Sequence, residues 1–311
     1  MTDQAAPAQA GQSCTWRSQG RLPQDIQGLG RRAPVPGVVS APAPSMAAMR
    51  PAIMLGQATA GPAGATSWDA LRARAHVATT GLLAPPEPGP GVCASCRGPL
   101  RRGYTRCFEC DLHAESAPGQ LADVVAPVAY APKGSRLATD LWLYKSARPG
   151  ARAAGAGLRA LLLVFLHDRG TQLWQRAGMT VPTHACVVPS GRGRPGPHPL
   201  QALLHGFLAL PWTMLFTQPG ADLWARGLDP DRFRARRPLT GAAVLLLDDT
   251  WTSGGSAQSA AVALKLAGAR SVAAVVLGRH LPAGPWGPPG CHRVPGPAAI
   301  DGRAACPLSL G

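Results

Sequence analysis

An α/β domain on a parallel-rich sheet with flanking helices is the fold class this sequence predicts, and three observations predict it. The first is the run 244–247 (Val-Leu-Leu-Leu), followed by a helical stretch over 256–266 and a second apolar run over 272–277. Strand, helix and strand within about thirty residues form a βαβ unit, the building block of a parallel sheet. The second is another short apolar run over 185–188, suited to a buried strand. The third is a pair of Cys-x-x-Cys hooks ahead of the sheet, which belongs to a small metal module rather than to a strand.

Taken in order, residues 1–90 are dominated by Ala, Pro and Gly without a sustained apolar period, and predict a disordered or loosely packed segment. Cys93-x-x-Cys96 and Cys107-x-x-Cys110 follow, ten residues apart. Two such hooks let four thiolates converge tetrahedrally on Zn²⁺, with Gly98-Pro99 and Gly103 suited to the intervening turn. A structural zinc knuckle, ribbon-like and closed to substrate, is therefore expected over 91–115. His113 is near enough to replace one ligand, but Cys110 is better placed. The α/β domain is expected over 121–281. Within it, 124–130 reads as a strand, 137–143 opens a helix or a short strand, and 151–167 is a helix rich in Ala and Leu. The strand at 185–188 runs into Pro189-Ser190-Gly191-Arg192, and 198–208 reads as a helix. Gly268 closes the helix at 256–266 as its C′ residue. The tail, 282–311, is rich in Pro and Gly and expected to be irregular.

Composition removes several function classes. No run reaches the roughly 18 apolar residues of a membrane helix. Arg31-Arg32 is followed by Ala-Pro-Val-Pro-Gly instead of an apolar core, so export is not expected and a cytoplasmic location is. A reducing compartment in turn favours metal over disulfides at the cysteines. The net charge of +15 invites a polyanion partner, yet Lys133, Lys145 and Lys265 are the only lysines among 31 basic residues. Surplus Arg, Ala, Gly and Pro together accompany a GC-rich coding bias, so part of that charge reflects composition. No Walker A glycine loop and no nucleophile elbow are present. Residues 191–196 spell G-x-G-x-x-G, but Pro195 sits badly in the first turn and no strand-terminal acid follows at the required distance.

The informative segment is 244–256: an apolar strand, then Asp248-Asp249-Thr250-Trp251-Thr252-Ser253-Gly254-Gly255-Ser256. A buried strand delivers two carboxylates to a sheet edge, and the hydroxyl and glycine loop turns backbone N–H groups toward the start of a helix. Such a helix start favours phosphate, because its first N–H groups lack partners and the dipole attracts an anion. Carboxylates suit ribose hydroxyls and Mg²⁺, so the pair beside it points to a ribose that carries a phosphate. The basic glycine loop Pro189-Ser190-Gly191-Arg192 suits a diphosphate. The alternative for the aspartate loop is a strand that ends in solvated acids before a helix capped by Ser256.

The zinc hooks, the Tyr144-Lys145 segment, Val188 to Leu200 and Asp248 to Gly254 together resemble the ComF family of competence-related proteins, which have a type I phosphoribosyltransferase fold. The resemblance spans about 93–281. It implies a ligand of the 5-phosphoribosyl-1-diphosphate (PRPP) type with Mg²⁺. Asp248 and Asp249 would then hold the ribose hydroxyls, directly or through Mg²⁺. The loop Thr250, Thr252, Ser253, Gly254, Gly255 and Ser256 would hold the 5′-phosphate, and Pro189, Ser190, Gly191 and Arg192 the diphosphate. Asp231, Phe233 and Arg234 would lie near a mobile flap. It implies pentosyl transfer to an acceptor, and relatives often form homodimers. Thr252 stands where purine-salvage members carry an aspartate base, which disfavours a 6-oxopurine acceptor. An amino-terminal nucleophilic cysteine of the amidotransferase kind is missing. The resemblance equally admits a non-catalytic DNA-uptake factor that binds single-stranded DNA.

Overall fold

The computed structural model describes residues 68–79, 81–101, 103–190, 197–222, 225–281 and 292–293. In chain order these form α1 (Trp68–Thr79), β1 (Leu83–Ala84), α2 (Phe108–Ser116), β2 (Val124–Pro132), α3 (Arg136–Leu143), α4 (Ala151–Arg176) and β3 (His184–Val187). They continue with α5 (Pro199–Leu204), β4 (Leu215–Thr217), β5 (Phe233–Ala235), β6 (Ala243–Trp251), α6 (Gly255–Leu266), β7 (Ser271–Leu281) and β8 (His292–Arg293).

Six of these strands form one sheet in the order β3-β6-β7-β2-β1-β8. The first four run parallel, with β1 antiparallel to β2 and to β8. Period-2 alternation sends the residues of β6 to two separate cores, as a sheet covered on both faces requires. Ala243, Leu245 and Leu247 pack with α1, α3, α4 and α5 on one face. Val244 and Leu246 pack with α6, the cysteine module, Leu215 and Phe233 on the other. The expected α/β class is therefore the one observed. No helix among the described residues is long and apolar enough to cross a membrane.

Several elements depart from expectation. The stretch 1–90, read as disordered, contains α1. Leu71 and Ala75, four apart and buried, lay this helix on the core, while Arg72 pairs with Asp168 at 2.9 Å and Trp68 meets the His167 ring edge-on at 4.4 Å. Its order comes from tertiary contacts with α4, which local composition does not encode. Residues 1–67 lie outside the described part. The tail contributes β8, whose His292 and Arg293 pair with β1. Helix α5 is shorter than 198–208: His198 is its N-cap, its Nδ1 accepting from the Leu200 N–H at 3.2 Å, and the chain leaves helical geometry at His205 (φ −57°, ψ 131°). Strand β6 runs on to Trp251, so both aspartates lie inside it rather than in the following loop.

Candidate functional site

Parallel strands bring their carboxyl ends to one edge, where ligands of such sheets bind. Here that edge gathers 189–190 after β3, 248–256 at the end of β6, and 279–281 at the end of β7. The Val188 N–H donates to the Leu247 carbonyl at 3.0 Å, which sets Pro189 and Ser190 beside the aspartates. Gly191 and Arg192, the rest of the expected diphosphate loop, lie outside the described residues.

Adjacent residues of a strand point to opposite faces, and this gives the two acids different surroundings. Asp249 falls on the face of Leu245 and Leu247, toward the end of α3. Its Oδ2 accepts from the Tyr144 hydroxyl at 2.6 Å and pairs with Lys145 Nζ at 2.5 Å. Burial alone would raise its pKa. The Lys145 charge and hydrogen bonds from Lys145, Tyr144 and Thr250 outweigh burial and hold it below the ordinary carboxylate range. Asp248 is half-buried, and its Oδ1 accepts from the Asp249 N–H at 2.8 Å. Desolvation first, then the Asp249 charge, push its carboxyl up to about 8 against the pull of Lys145. One acid is thus spent on an internal ion pair. The other is short of positive charge, and a cation or a hydroxyl donor would satisfy it.

The loop beyond them is shaped by two glycines. Gly254 caps α6 at φ +89°, and the Trp251 ring occupies the space a Cβ would need. Gly255 opens the helix, where a Cβ would collide with the carbonyl oxygens of Arg226 and Gly227. Ser256, the N-cap in the alternative reading, sits within the first turn, and Gly254 takes the capping position. The Ser253 hydroxyl donates to the Arg226 carbonyl at 2.5 Å, so the chain itself occupies a group expected to serve phosphate. Thr252 is exposed.

Sequence reasoning passed over Arg232 between Asp231 and Phe233. Its side chain is 1% exposed, and its guanidinium donates to Ser256 Oγ at 3.1 Å and to the carbonyls of Ala225 and Gly227 at 3.1 and 3.0 Å. Its Nε has no partner, and no ion pair to it is found among the described residues. A buried cation beside the positive end of a helix makes this a locus for an anion. No local pattern marks Arg232, since its burial depends on α6 packing over β5. Phe233 is a core residue and Asp231 and Arg234 are exposed, and all three line a cavity of about 530 Å³ with Arg236 and Leu266.

The sulfur atoms of Cys93, Cys96, Cys107 and Cys110 all lie within 4.8 Å of one another. Cys96 and Cys107 are 3.7 Å apart, close to the ~3.8 Å edge of a tetrahedron with Zn–S bonds of ~2.3 Å. The first hook turns through Arg97 at φ +58°, with the Arg97 N–H bonded to the Cys93 carbonyl at 3.0 Å. The second is the start of α2, with Cys107 as its N-cap, a helix the sequence had not marked. Hydrogen bonds from the neighbouring thiols push Cys93 down and Cys96 down to about 7, while those same bonds hold Cys110 up. Four thiols this crowded share their protons, and a divalent cation would take the place of them all. The donor set fits Zn²⁺. His113 is buried outside this group, and burial lowers its pKa.

No protein-family model matches the chain, and no curated protein matches it. Similar solved structures include a purine phosphoribosyltransferase from Pyrococcus horikoshii, at 13% identity over 42% of this chain and 88% of that one, TM-score 0.27. An adenine phosphoribosyltransferase from Leishmania tarentolae is 16% identical over 45% and 73% of the two chains, TM-score 0.26. A phosphoribosylpyrophosphate synthetase from Mycobacterium smegmatis is 14% identical over 55% and 58%, TM-score 0.28. Overlap at these scores carries no functional weight, and the chemistry of the sheet edge has to be judged on its own residues.

Proposed function

We propose that this protein binds a phosphoribosyl ligand of the PRPP type at the carboxyl edge of β6 and transfers its phosphoribosyl group, with loss of diphosphate, to an acceptor. One observation carries the reading: an acid short of positive charge, Asp248, stands a few residues before a helix start beside a buried guanidinium, Arg232, that has no acid partner among the described residues. Carboxylate at one end and positive charge at the other match a sugar with hydroxyls and a phosphate. The resemblance to the ComF family and to type I phosphoribosyltransferases points the same way.

In this reading Asp248 holds the ribose hydroxyls or Mg²⁺, and Mg²⁺ supplies neutralisation of the departing diphosphate. Asp249 acts through Lys145 and Tyr144, fixing the end of α3 against the edge. Phosphate binding exchanges the Ser253 contact, the hydroxyl turning from the Arg226 carbonyl to a phosphate oxygen. Among the described residues no general base is placed at the loop, so positioning and electrostatics carry the rate. Cysteines kept as thiols for a metal suit a reducing, cytoplasmic setting. The test is diphosphate release from PRPP and Mg²⁺ by zinc-loaded protein in a fractionated cell extract. An acceptor-dependent release that disappears in Asp248→Asn supports transfer. No release from any fraction, with PRPP still bound, contradicts catalysis.

One observation favours the second reading, a single-stranded DNA factor. Tyr104 and Phe108 on the cysteine module are 67% and 74% exposed, and Arg106, between them in the chain, is exposed as well, side chains of the kind on which bases stack. Salt-sensitive DNA binding lost in Tyr104→Ala plus Phe108→Ala, and unchanged in Asp248→Asn, would establish it.

A further inference from the structure

Arg279, near the end of β7, touches both candidate sites at once. One terminal nitrogen, Nη2, lies 3.5 Å from the Cys96 sulfur. The other, Nη1, donates to the carbonyls of Thr252 at 2.7 Å, Trp251 at 3.3 Å and His280 at 2.9 Å. Residues 251 and 252 lead directly into the glycine turn that starts α6. A single planar guanidinium therefore spans the sulfur cluster and the loop, with its fork fixed at both ends.

Two neighbours preserve this bridge. Gly98, just past the first cysteine hook, leaves room for it, because a Cβ there would come within 2.6 Å of Arg279 Nη2. Trp251 is 1% exposed and belongs to the same apolar cluster as Cys93, Cys96 and Cys110, while its ring lies against Gly254. The cysteine module is held on the sheet by a separate contact, the Tyr130 hydroxyl donating to the Arg97 carbonyl. Anchoring the module thus does not need Arg279.

We infer that Arg279 is a positioning residue that couples occupancy of the four-cysteine site to the conformation of the loop 251–255. A bound metal fixes the Cys96 sulfur within its ligand set, so the guanidinium is pinned and the two loop carbonyls with it. Without the metal, that sulfur is held only by its own turn, and the fork loses one of its fixed ends. The functional meaning of this coupling rests on the phosphoribosyl reading, whereas the coupling itself rests on the contacts alone.

The experiment is amide hydrogen exchange of the loop, on full-length protein loaded with zinc and again after chelation, in the absence of any sugar phosphate. Wild type is expected to show about tenfold faster exchange at 253–255 after metal removal, the scale of an ordinary coupling energy. Arg279→Gln is expected to exchange fast in both states, with less than about a twofold change. Gly98→Ala provides the second variant if Arg279→Gln does not fold. Equal exchange in both metal states of wild type, or a wild-type response in the variant, overturns the inference. A cobalt-loaded sample then adds PRPP and Mg²⁺ as probes. By reciprocity, ligand at the loop shifts the cobalt–thiolate absorption in wild type and leaves it unchanged in Arg279→Gln. A metal-dependent loop with no PRPP binding would sink the phosphoribosyl reading and leave the coupling standing.

Discussion

Asp248 and Asp249 are neighbours in the chain with opposite electrostatics, and each yields a prediction. Lys145→Met removes the cation from a buried carboxylate that keeps only the Tyr144 and Thr250 hydrogen bonds. Breaking a buried pair from one side costs about 3 kcal/mol, and urea unfolding should show a loss of that order. The double variant Lys145→Met plus Asp249→Asn should recover part of it, since no charge is then left unpaired. Asp248 gives a pH signature. Burial and the Asp249 charge push its carboxyl from the ordinary 3.8 up to about 8, so between those values the native state is expected to hold a proton the unfolded chain has lost. Stability from this group is therefore full below the ordinary carboxylate value and falls as pH rises through that window. Asp248→Asn should flatten this slope in denaturant midpoints taken from pH 5 to 9. A slope unchanged in the variant would contradict the assignment.

At the level of elements, the turn from β6 to α6 depends on glycine at two positions for different reasons. Gly254→Ala meets both a left-handed backbone and the Trp251 ring, while Gly255→Ala meets the backbone of Arg226 and Gly227. Each should lower stability by about 2 kcal/mol or more in thermal melts and weaken phosphoribosyl binding further than the stability loss explains. Much of this turn was legible in the sequence, because an apolar strand, acids, a hydroxyl and glycine loop and an Ala-rich helix are all local signals. Strands β2, β3 and β7 were legible for the same reason. Helix α1 was not, since Leu71 and Ala75 acquire meaning only against α4. Arg232 and Arg279 were equally hidden: each is an isolated arginine in a basic chain, and its role comes from groups brought close by the sheet. The divergence of the two aspartates follows from strand alternation, but the apolar run ends at Leu247 and hides that β6 continues through them.

At the scale of the whole molecule, the cysteine module covers the same sheet face as α6 and meets the ligand edge through Arg279 and Trp251. Zinc removal should therefore do more than unfold a peripheral hook. Chelation is expected to lower the melting temperature by several degrees, about the effect of 1–2 kcal/mol in a chain of this size, and to be reversed by added zinc. A melt indifferent to chelator would mean that the four sulfurs hold no metal. The central claim is that a phosphoribosyl ligand sits at the carboxyl edge of β6, between Asp248 and the start of α6. Calorimetric titration of PRPP with Mg²⁺ into zinc-loaded protein tests it most directly, with Asp248→Asn and the remote variant Arg72→Gln alongside. Wild type and Arg72→Gln should give saturable heat, and a folded Asp248→Asn should give none. No heat at millimolar ligand with folded, zinc-loaded wild type, or heat undiminished in Asp248→Asn, would contradict that claim.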